Sequence, residues 1–568
     1  MSKAFGEQTP TLGEDPVSWQ TWSDGAGGIP EIVGNADWGK LKLDYFPGEE
    51  GRSAVYDLGS AKVRKFTLTE NRYGTGSEDA VLQYRVDTIS FLQDDVLPAW
   101  TNYSVPFSVN CRYVQVRETT LAFKFVDATN GNDGWAGTFA APWKTIAKVN
   151  AATLVPGDFV LFKRGEVWRE KLVIPSSGAA GYPITFGAYG TGAKPKILGS
   201  VNLSEDADWE VDSGNIWKTT ATITVDVGNL IFNNEASCGV KRGTKVACVA
   251  QGEFFWEDGT HLLYLYSTSN PGTFYTAIEA AKYNDLLYIS ERSNITIQDL
   301  DIRYEGHHAI FLDGWEPGIS NITIQRCNFA YIGGVFEGAP DRAGNGIEVL
   351  SEFNNVIIRY NTFEQIYDSS FCLEIPDANR TSSNYQAYYN ITKNSEQGFL
   401  YLVARNTTHC SLVRVYNNVF YNMGGGFSHS QRVENEASGF TYWGSSGITT
   451  NCEFKNNIIH TSAEYLAFIS PGSALAGGWT LDYNNYYPDG AAAFYYAGDD
   501  YTFANWKIAT GGDANSIVTD PKFVTNGTDF HLQLGSGAIN EGVNVGLSTD
   551  MDGVAVADPP EIGAFEYI

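Results

Sequence analysis

The sequence predicts an all-β protein in which a small β-sandwich precedes a long solenoid of stacked parallel coils. Three observations carry that expectation. Short alternating strands broken by Gly, Pro and Asp occupy the region from about residue 30 to residue 118. Beyond residue 123 a β-rich phrase recurs, with no sustained helical period after the first turn. Charged residues make up 18% of the 568 and aromatic residues 14%, a balance that fits a continuous apolar core and excludes a disordered or fibrous chain.

Residues 1–122 contain SAVYDLGSAKVRKFTLTENR and end in VNCRYVQVRET. The combination of AVYDLGS at 54–60, the stretch holding Trp100, Tyr103 and Pro106, and RYVQVR at 112–117 resembles the discoidin-like, galactose-binding jelly roll. That resemblance implies a carbohydrate-binding or spacer module.

Residues 123–568 read as the solenoid. A cap is expected in TFAAPWKTIAKVNAATLVPGD at 138–158, where KTIAKVNAAT forms a short amphipathic helix over the open core edge. FVLFKRGEVWREKLVIPSSGAAGYPITFGAYG at 159–190 then supplies the first coils. The repeated phrase runs NITIQDLDI (294–302), NITIQRCNF (321–329), NVIIRYNTF (355–363), LVRVYNNVF (412–420), CEFKNNIIH (452–460) and TLDYNNYYP (480–488). Alternating β-branched or aromatic residues supply an inward face, and the Asn that follows both tolerates a left-handed corner and can stack its amide in a ladder. One coil cannot bury its inward side chains alone, so coils must stack about 4.8 Å apart. DPKFVTNGTDFHLQLGSGAINEG (520–542) and EIGAFEY (561–567) are expected to form the closing coil and a terminal strand.

The phrases PWKTI, PGD, FKRGEVWRE, IPSSG with GYPITFGAYG, and DFHLQLGSGAIN with EIGAFEY are similar to the right-handed parallel β-helix proteins of the pectin-lyase-like superfamily. The resemblance spans residues 123–568 and implies a right-handed coil. It does not fix chemistry, because this fold hosts lyases, hydrolases, epimerases, esterases and phage tailspikes, and function must be read from the site.

Thirty-eight Lys and Arg face 66 Asp and Glu, a net charge of −28. Such a field repels nucleic acid and anionic membrane surfaces, and no run of 18 or more apolar residues is present to span a bilayer, so neither is an expected partner. The opening MSKAFGEQTPTLGEDP lacks the basic start and apolar run of a secretory signal. Export is therefore expected with a signal already removed, or by another route such as release of an assembled phage particle. The seven Cys show no CxxC spacing, which argues against a zinc site and favours small core residues. The Asn-x-Ser/Thr triplets at Asn294, Asn321 and Asn390 read as structural parts of the coil.

Three strands place candidate chemistry on one outer face: AIFLDGW (309–315), GIEVLSE (346–352) and FCLEIPD (371–377). With Ile310, Ile347 and Phe371 inward, Phe311, Glu348 and Cys372 point outward, and two residues on so do Asp313, Leu350 and Glu374. Coil spacing and strand rise then separate Glu348 from Glu374 by about 8 Å, within the range that admits a water between the acid and base of an inverting glycosidase. Asp313 shares their face, and Asp368 is a spare carboxylate just before the Glu374 strand. Substrate-positioning candidates on the neighbouring segments are Arg342, His307, His308, Arg405, His429 and Arg432, with Trp315, Tyr401 and Trp443 as stacking platforms for sugar faces.

The expected activity is hydrolysis of a polysaccharide outside the cell, with no cofactor required. The competing chemistry is a polysaccharide lyase, in which Arg342, Lys393, Arg405, Arg432 or a histidine abstracts the proton next to a uronate carboxylate. Calcium would assist it, held by Asp341, Asp368 or Glu374. The charge of −28 disfavours a polyanionic substrate and so ranks the hydrolase first. A non-catalytic glycan-binding adhesin is the reading from another class. A free enzyme would be a monomer, a phage tailspike a homotrimer.

Overall fold

The computed structural model describes residues 123–568 apart from 339–340, 433–435, 444–445, 474, 476–477, 568 and the side chains of 316 and 317, together with the backbone of strands between Val17 and Leu121. The chain divides into two compact units, Met1–Lys124 with Gly137–Ala141, and Phe125–Ala136 with Pro142–Ile568. In the first unit the described strands form one seven-stranded, largely antiparallel sheet. The discoidin-like reading of this unit rests on side chains that lie outside the described residues. Among the described residues no helix is long and apolar enough to cross a membrane.

The second unit is a parallel β-helix whose coils each contribute strands to three rows. The first row includes Leu287–Ser290, 310–314, 347–351, Ser369–Ile375, Gln397–Val403 and Ser438–Trp443, every neighbouring pair parallel. The second row includes Ile295–Gln298, 319–325, 353–359, Thr381–Tyr388 and His409–Tyr416. The third row is a nine-stranded sheet running from Val167–Trp168 to Asn485–Tyr487. Residues of one parity point inward and are fully buried, as with Ile310, Leu312, Ile347, Val349, Phe371 and Leu373. They join one apolar core that extends from Val126 to Trp506.

The repeated phrase divides between two adjacent positions the work expected of a single Asn. At the corner between second and third rows Tyr360, Tyr389, Asn417, Asn456 and Tyr483 take the left-handed backbone, with φ of 57°, 55°, 51°, 55° and 57°. The next residue forms the ladder: Asn361, Asn390, Asn418 and Asn457 each donate from Nδ2 to Oδ1 of the following Asn at 3.0–3.2 Å, ending on Asn484. These amides are fully buried, so the sequon at Asn390 lies inside the ladder. At the start of the phrase Asn294, Asn321, Asn355 and Asn384 also adopt positive φ and form a second, more exposed amide ladder.

The expected cap helix is present as Ile146–Asn150; Thr145 Oγ1 accepts from the Lys148 amide, and Ile146 and Val149 enter the core. The far end differs from expectation. A helix at Phe503–Thr510 closes it with Phe503 and Trp506, the indole donating to Asp513. The segments expected to form a closing coil instead run back along the outside, where Phe523, Phe530, Leu532, Ile562 and Phe565 pack on Tyr388, Tyr416 and Ile458 of earlier coils. The reason is visible in their composition: DFHLQL and EIGAF each present a few apolar residues to one side, enough to cover a wall but without the phrase that builds a coil. A second departure is a largely antiparallel insertion between Lys196–Leu198 and Leu287–Ser290. Its four- and five-stranded sheets carry a separate core around Trp209, Leu230, Phe254 and Leu265.

Asn418→Ala removes acceptors for the Asn390 amides and donors for the Ala387 and Tyr416 carbonyls. Stability should fall by at least about 2 kcal/mol, because each buried group left unpaired carries its own desolvation cost. Asn321→Ala, at an exposed left-handed corner, should cost only about 1 kcal/mol. Urea unfolding of the two variants beside the wild type checks the difference.

Candidate active site

The loops that leave the third row and enter the first bring the chemistry together. Residues 304–309 carry Glu305, His307 and His308; 333–346 carry Glu337, Arg342 and Asn345; 367–368 precede the Glu374 strand; and 424–437 carry His429, Gln431 and Arg432. The 333–346 loop is an antiparallel hairpin of Val335–Gly338 and Asp341–Ala343. Gly344, at φ 142°, closes it, since a Cβ there would lie 2.1 Å from the Cα of Gly333.

On the first row Glu348 pairs with Cys372, and Leu350 with Glu374. The outward ladders are therefore Phe311–Glu348–Cys372–Leu400 and Asp313–Leu350–Glu374–Leu402–Trp443. Glu348 and Glu374 sit diagonally across Cys372, and an oxygen of each, with the thiol sulfur, lies within 4.8 Å of the others. This corrects the expected separation of about 8 Å, which describes the backbone; the two long side chains lean together over the shorter cysteine. That is closer than the roughly 6.5–9.5 Å between the acid and base of an inverting glycosidase, so the pair lacks that spacing.

Glu348 is 3% exposed. Its Oε2 accepts from Asn345 Nδ2 at 2.6 Å and from the Cys372 thiol at 2.7 Å, whereas its Oε1 has no donor. Burial drives its acidity down, the Cys372 and Asn345 donors oppose this, and the charge of Asp368 adds to it, leaving a pKa of about 7. Glu374 is partly open to solvent. Burial and then the charges of Glu348, Asp368 and Glu337 hold its pKa well above the ordinary carboxylate value; the partial exposure softens the burial effect and leaves the neighbouring charges as the firmer cause. The thiol of Cys372 is raised in the same way, by burial and then by the two glutamates.

The remaining candidates separate into distinct roles. His307 is held between Asp285 (Nδ1, 2.6 Å) and Glu337 (Nε2, 2.7 Å), with Tyr283 stacked on its ring. Burial opposes its charge, but the two carboxylates prevail and raise it to about 9. His308 accepts the Asn345 amide at Nδ1, and burial together with the charge of His307 keeps it neutral. Arg432 donates to Asp368 Oδ1 at 3.2 Å and to the Tyr367 carbonyl. His429 pairs with the fully buried Glu396 at 3.1 Å. Asp313 lies on the outer face but turns to the preceding coil, where Tyr288 donates to it at 2.5 Å. Trp315 is 47% exposed and Trp443 partly exposed against Phe468. Arg405 is exposed on a turn, bound to the Pro376 carbonyl.

Two candidates take other places than expected. Tyr401 is fully buried, packed against Tyr442 and Trp479 in the core, because its register places it on the inward parity of its strand. It cannot be a sugar platform. Arg342 commits Nε to the Gly334 carbonyl, Nη2 to that of Gly228 and Nη1 to Gln431, over the ring of Tyr367. It fastens the insertion to the site loops and has little left to offer a substrate. Asn345, Asp285 and Gln431 were not singled out from the sequence; Asn345 stands in a Gly-Asn-Gly turn that reads only as a coil corner.

Of the carboxylates suited to calcium, Asp368 is engaged by Arg432, Glu374 stands beside a thiol, and Asp341 lies on the hairpin. Calcium takes six or more oxygens, and the three do not form one of the close ligand groups found among the described residues.

No protein-family model matches the chain, and no curated protein matches it. Among solved structures it is similar to a GH136 lacto-N-biosidase from Eubacterium ramulus, at 14% identity over 66% of this chain and 57% of that one, with a TM-score of 0.42. It is also similar to the pectate lyase Pel9A, at 14% identity over 79% and 96% of the two chains and a TM-score of 0.45. A third is a protein named as a glycoside hydrolase, at 10% identity over 66% and 95% with a TM-score of 0.44. The chain thus spans little more than half the length of the lacto-N-biosidase.

The folded chain holds the Glu348 proton more tightly than an unfolded chain, whose Glu titrates near 4.3. The residue therefore costs nothing below that value, costs progressively more as pH rises toward 7, and carries its full cost above. Glu348→Gln should be more stable than the wild type at about pH 8, on the order of 2 kcal/mol, with the advantage gone near pH 4. Urea midpoints across that range check it.

Proposed function

We propose that the protein is an extracellular polysaccharide depolymerase of the glycoside hydrolase type. The observation that carries this reading is the pair of carboxyls within 4.8 Å on the outer face of the helix, one buried and one open to solvent. Two carboxylates this close in a dry setting cannot both ionise, so one retains a proton. Glu348 has two donors that favour its charged form, while Glu374 has no hydrogen-bond donor among the described residues, so the proton rests on Glu374. Glu374 then protonates the glycosidic oxygen. Glu348, too buried to touch a sugar, positions that proton through its charge. Asp368, ion-paired with Arg432, is the second carboxylate, which activates the attacking water. Trp315 and Trp443 offer apolar faces to the chain on either side of the pair, and the N-terminal unit serves as a carbohydrate-binding or spacer module.

Of the bases a lyase would use, four of the candidates already hold partners, while Arg405 is exposed and bound only to the Pro376 carbonyl. Lys393 is paired with Glu364 at 2.9 Å, Arg432 with Asp368, His429 with Glu396, and Arg342 with three acceptors.

Incubation with a panel of neutral and charged polysaccharides should release reducing ends without ultraviolet-absorbing unsaturated products. Absorbing ends would make the enzyme a lyase, and retention without product would make it a binding protein. Glu374→Gln and Asp368→Asn should each lower kcat by about 10²- to 10⁴-fold, the range for loss of a general acid or base. Full activity in both would remove these residues from the mechanism. Mass in solution distinguishes a free monomer from a trimeric tailspike.

A further inference from the structure

We propose that Glu348, Cys372 and Glu374 form a binding site for a borderline-soft divalent cation, with zinc the ion that fits. The three donors are two carboxylate oxygens and a thiol sulfur, mutually within 4.8 Å. Zinc binds oxygen at about 2.0–2.2 Å and sulfur at about 2.3 Å in tetrahedral geometry, which places neighbouring ligands roughly 3.4–3.8 Å apart. The donors already lie within about an ångström of that spacing.

A mixed set of one sulfur and two oxygens suits zinc and not calcium or magnesium, which take oxygen ligands throughout. Two further observations point to a missing cation. Glu348 is 3% exposed, yet its Oε1 receives no donor. Beside it the two glutamates face one another without a charged cation between them: Arg432 is taken by Asp368, His307 by Asp285 and Glu337, and His308, whose Nδ1 lies 4.0 Å from Glu348 Oε2, is neutral and turns that nitrogen to the Asn345 amide. Asn345, donating to Glu348 Oε2 at 2.6 Å, already supplies the outer support that orients a metal-bound carboxylate. Glu374 is partly open to solvent, so the group is not sealed from an entering ion.

The Cys spacing in the sequence argued against zinc because it lacks a local CxxC pair. That signature is blind to this site, whose ligands come from adjacent coils, 24 residues apart between Glu348 and Cys372. On binding, the thiol proton and the carboxyl proton leave to solvent and Zn²⁺ takes both places, a Zn–S and two Zn–O bonds forming. If the hydrolase reading holds, the ion also removes the proton that Glu374 donates, and zinc inhibits the enzyme.

The test uses the full chain stripped with a chelator and titrated with Co²⁺, whose bond to a thiolate gives a near-ultraviolet charge-transfer band. The wild type should develop the band to one equivalent, and Zn²⁺ should abolish it. Cys372→Ser, which keeps the other six cysteines, should show no band, and Glu374→Gln should bind Co²⁺ about tenfold or more weakly. Absence of a band in the wild type, or its persistence in Cys372→Ser, overturns the proposal. Should Cys372→Ser fail to fold by circular dichroism, an unchanged Co²⁺ affinity in the partly exposed Glu374→Gln overturns it equally. Activity separates the two readings: hydrolysis in chelator without a cobalt band sinks the metal site alone, and a band with no hydrolysis in chelator sinks the hydrolase alone.

Discussion

Hydrogen bonds between each strand and its equivalent in the next coil are the constraint on which the rest of this molecule depends. They fix coil spacing, and with it the neighbours of every side chain, so that from Leu287 onward residues 23 to 41 apart in sequence become adjacent. Inward, this stacks Ile310, Ile347, Phe371 and Phe399 into one column. At the corner it stacks five buried asparagines whose amides bond to one another and to the backbone carbonyls of the turn. Outward, it brings Glu348, Cys372 and Glu374 together on neighbouring strands.

That constraint also explains what could be read from the sequence. The repeated phrase exposed the coils because each copy must satisfy the same corner and the same inward column, and strand alternation then put Glu348 and Glu374 on the outer face. Side-chain reach was not legible: the backbone geometry places the glutamates about two strand steps apart, and only their leaning over Cys372 closes the gap. Tyr401 shows the limit of the parity argument, because its strand was not registered against the three that were aligned, and a one-residue difference sends a ring inward. The insertion between residues 199 and 282 carries no repeat, so nothing in the phrase announced it. The C-terminal segments were misplaced for the converse reason, since their apolar residues are real but cover an outer wall.

The insertion matters because it reaches the site loops through buried polar contacts. Arg342 from the hairpin bonds to Gly228, and the amide of Lys241 donates to Gln431, whose side chain also meets Arg342. Asp226 accepts from both Lys241 Nζ and the Phe336 amide. Lys241 is almost wholly buried there, and burial outweighs Asp226 to lower its pKa to about 7. Two guanidiniums, those of Arg342 and Arg432, lie over the ring of Tyr367, and Arg432 continues to Asp368. Asp368, through which a water would be activated, is thus positioned by the same cluster that fastens the insertion.

The charge of the chain acquires a local meaning in this setting. Asp285, Glu337, Asp368, Glu348 and Glu374 gather about one stretch of the outer face, and the cations near them are already spent on individual partners. A uronate or sulfated polymer laid along the first row would meet those carboxylates, and removing even one anion from water into such a place is costly. A neutral sugar meets no such barrier and can use the aromatic faces at Trp315 and Trp443. On the proposed hydrolase reading, the same electrostatics that would hold a proton on Glu374 would also select against an anionic substrate, so acid strength and substrate charge would be set together by how closely these carboxylates are packed.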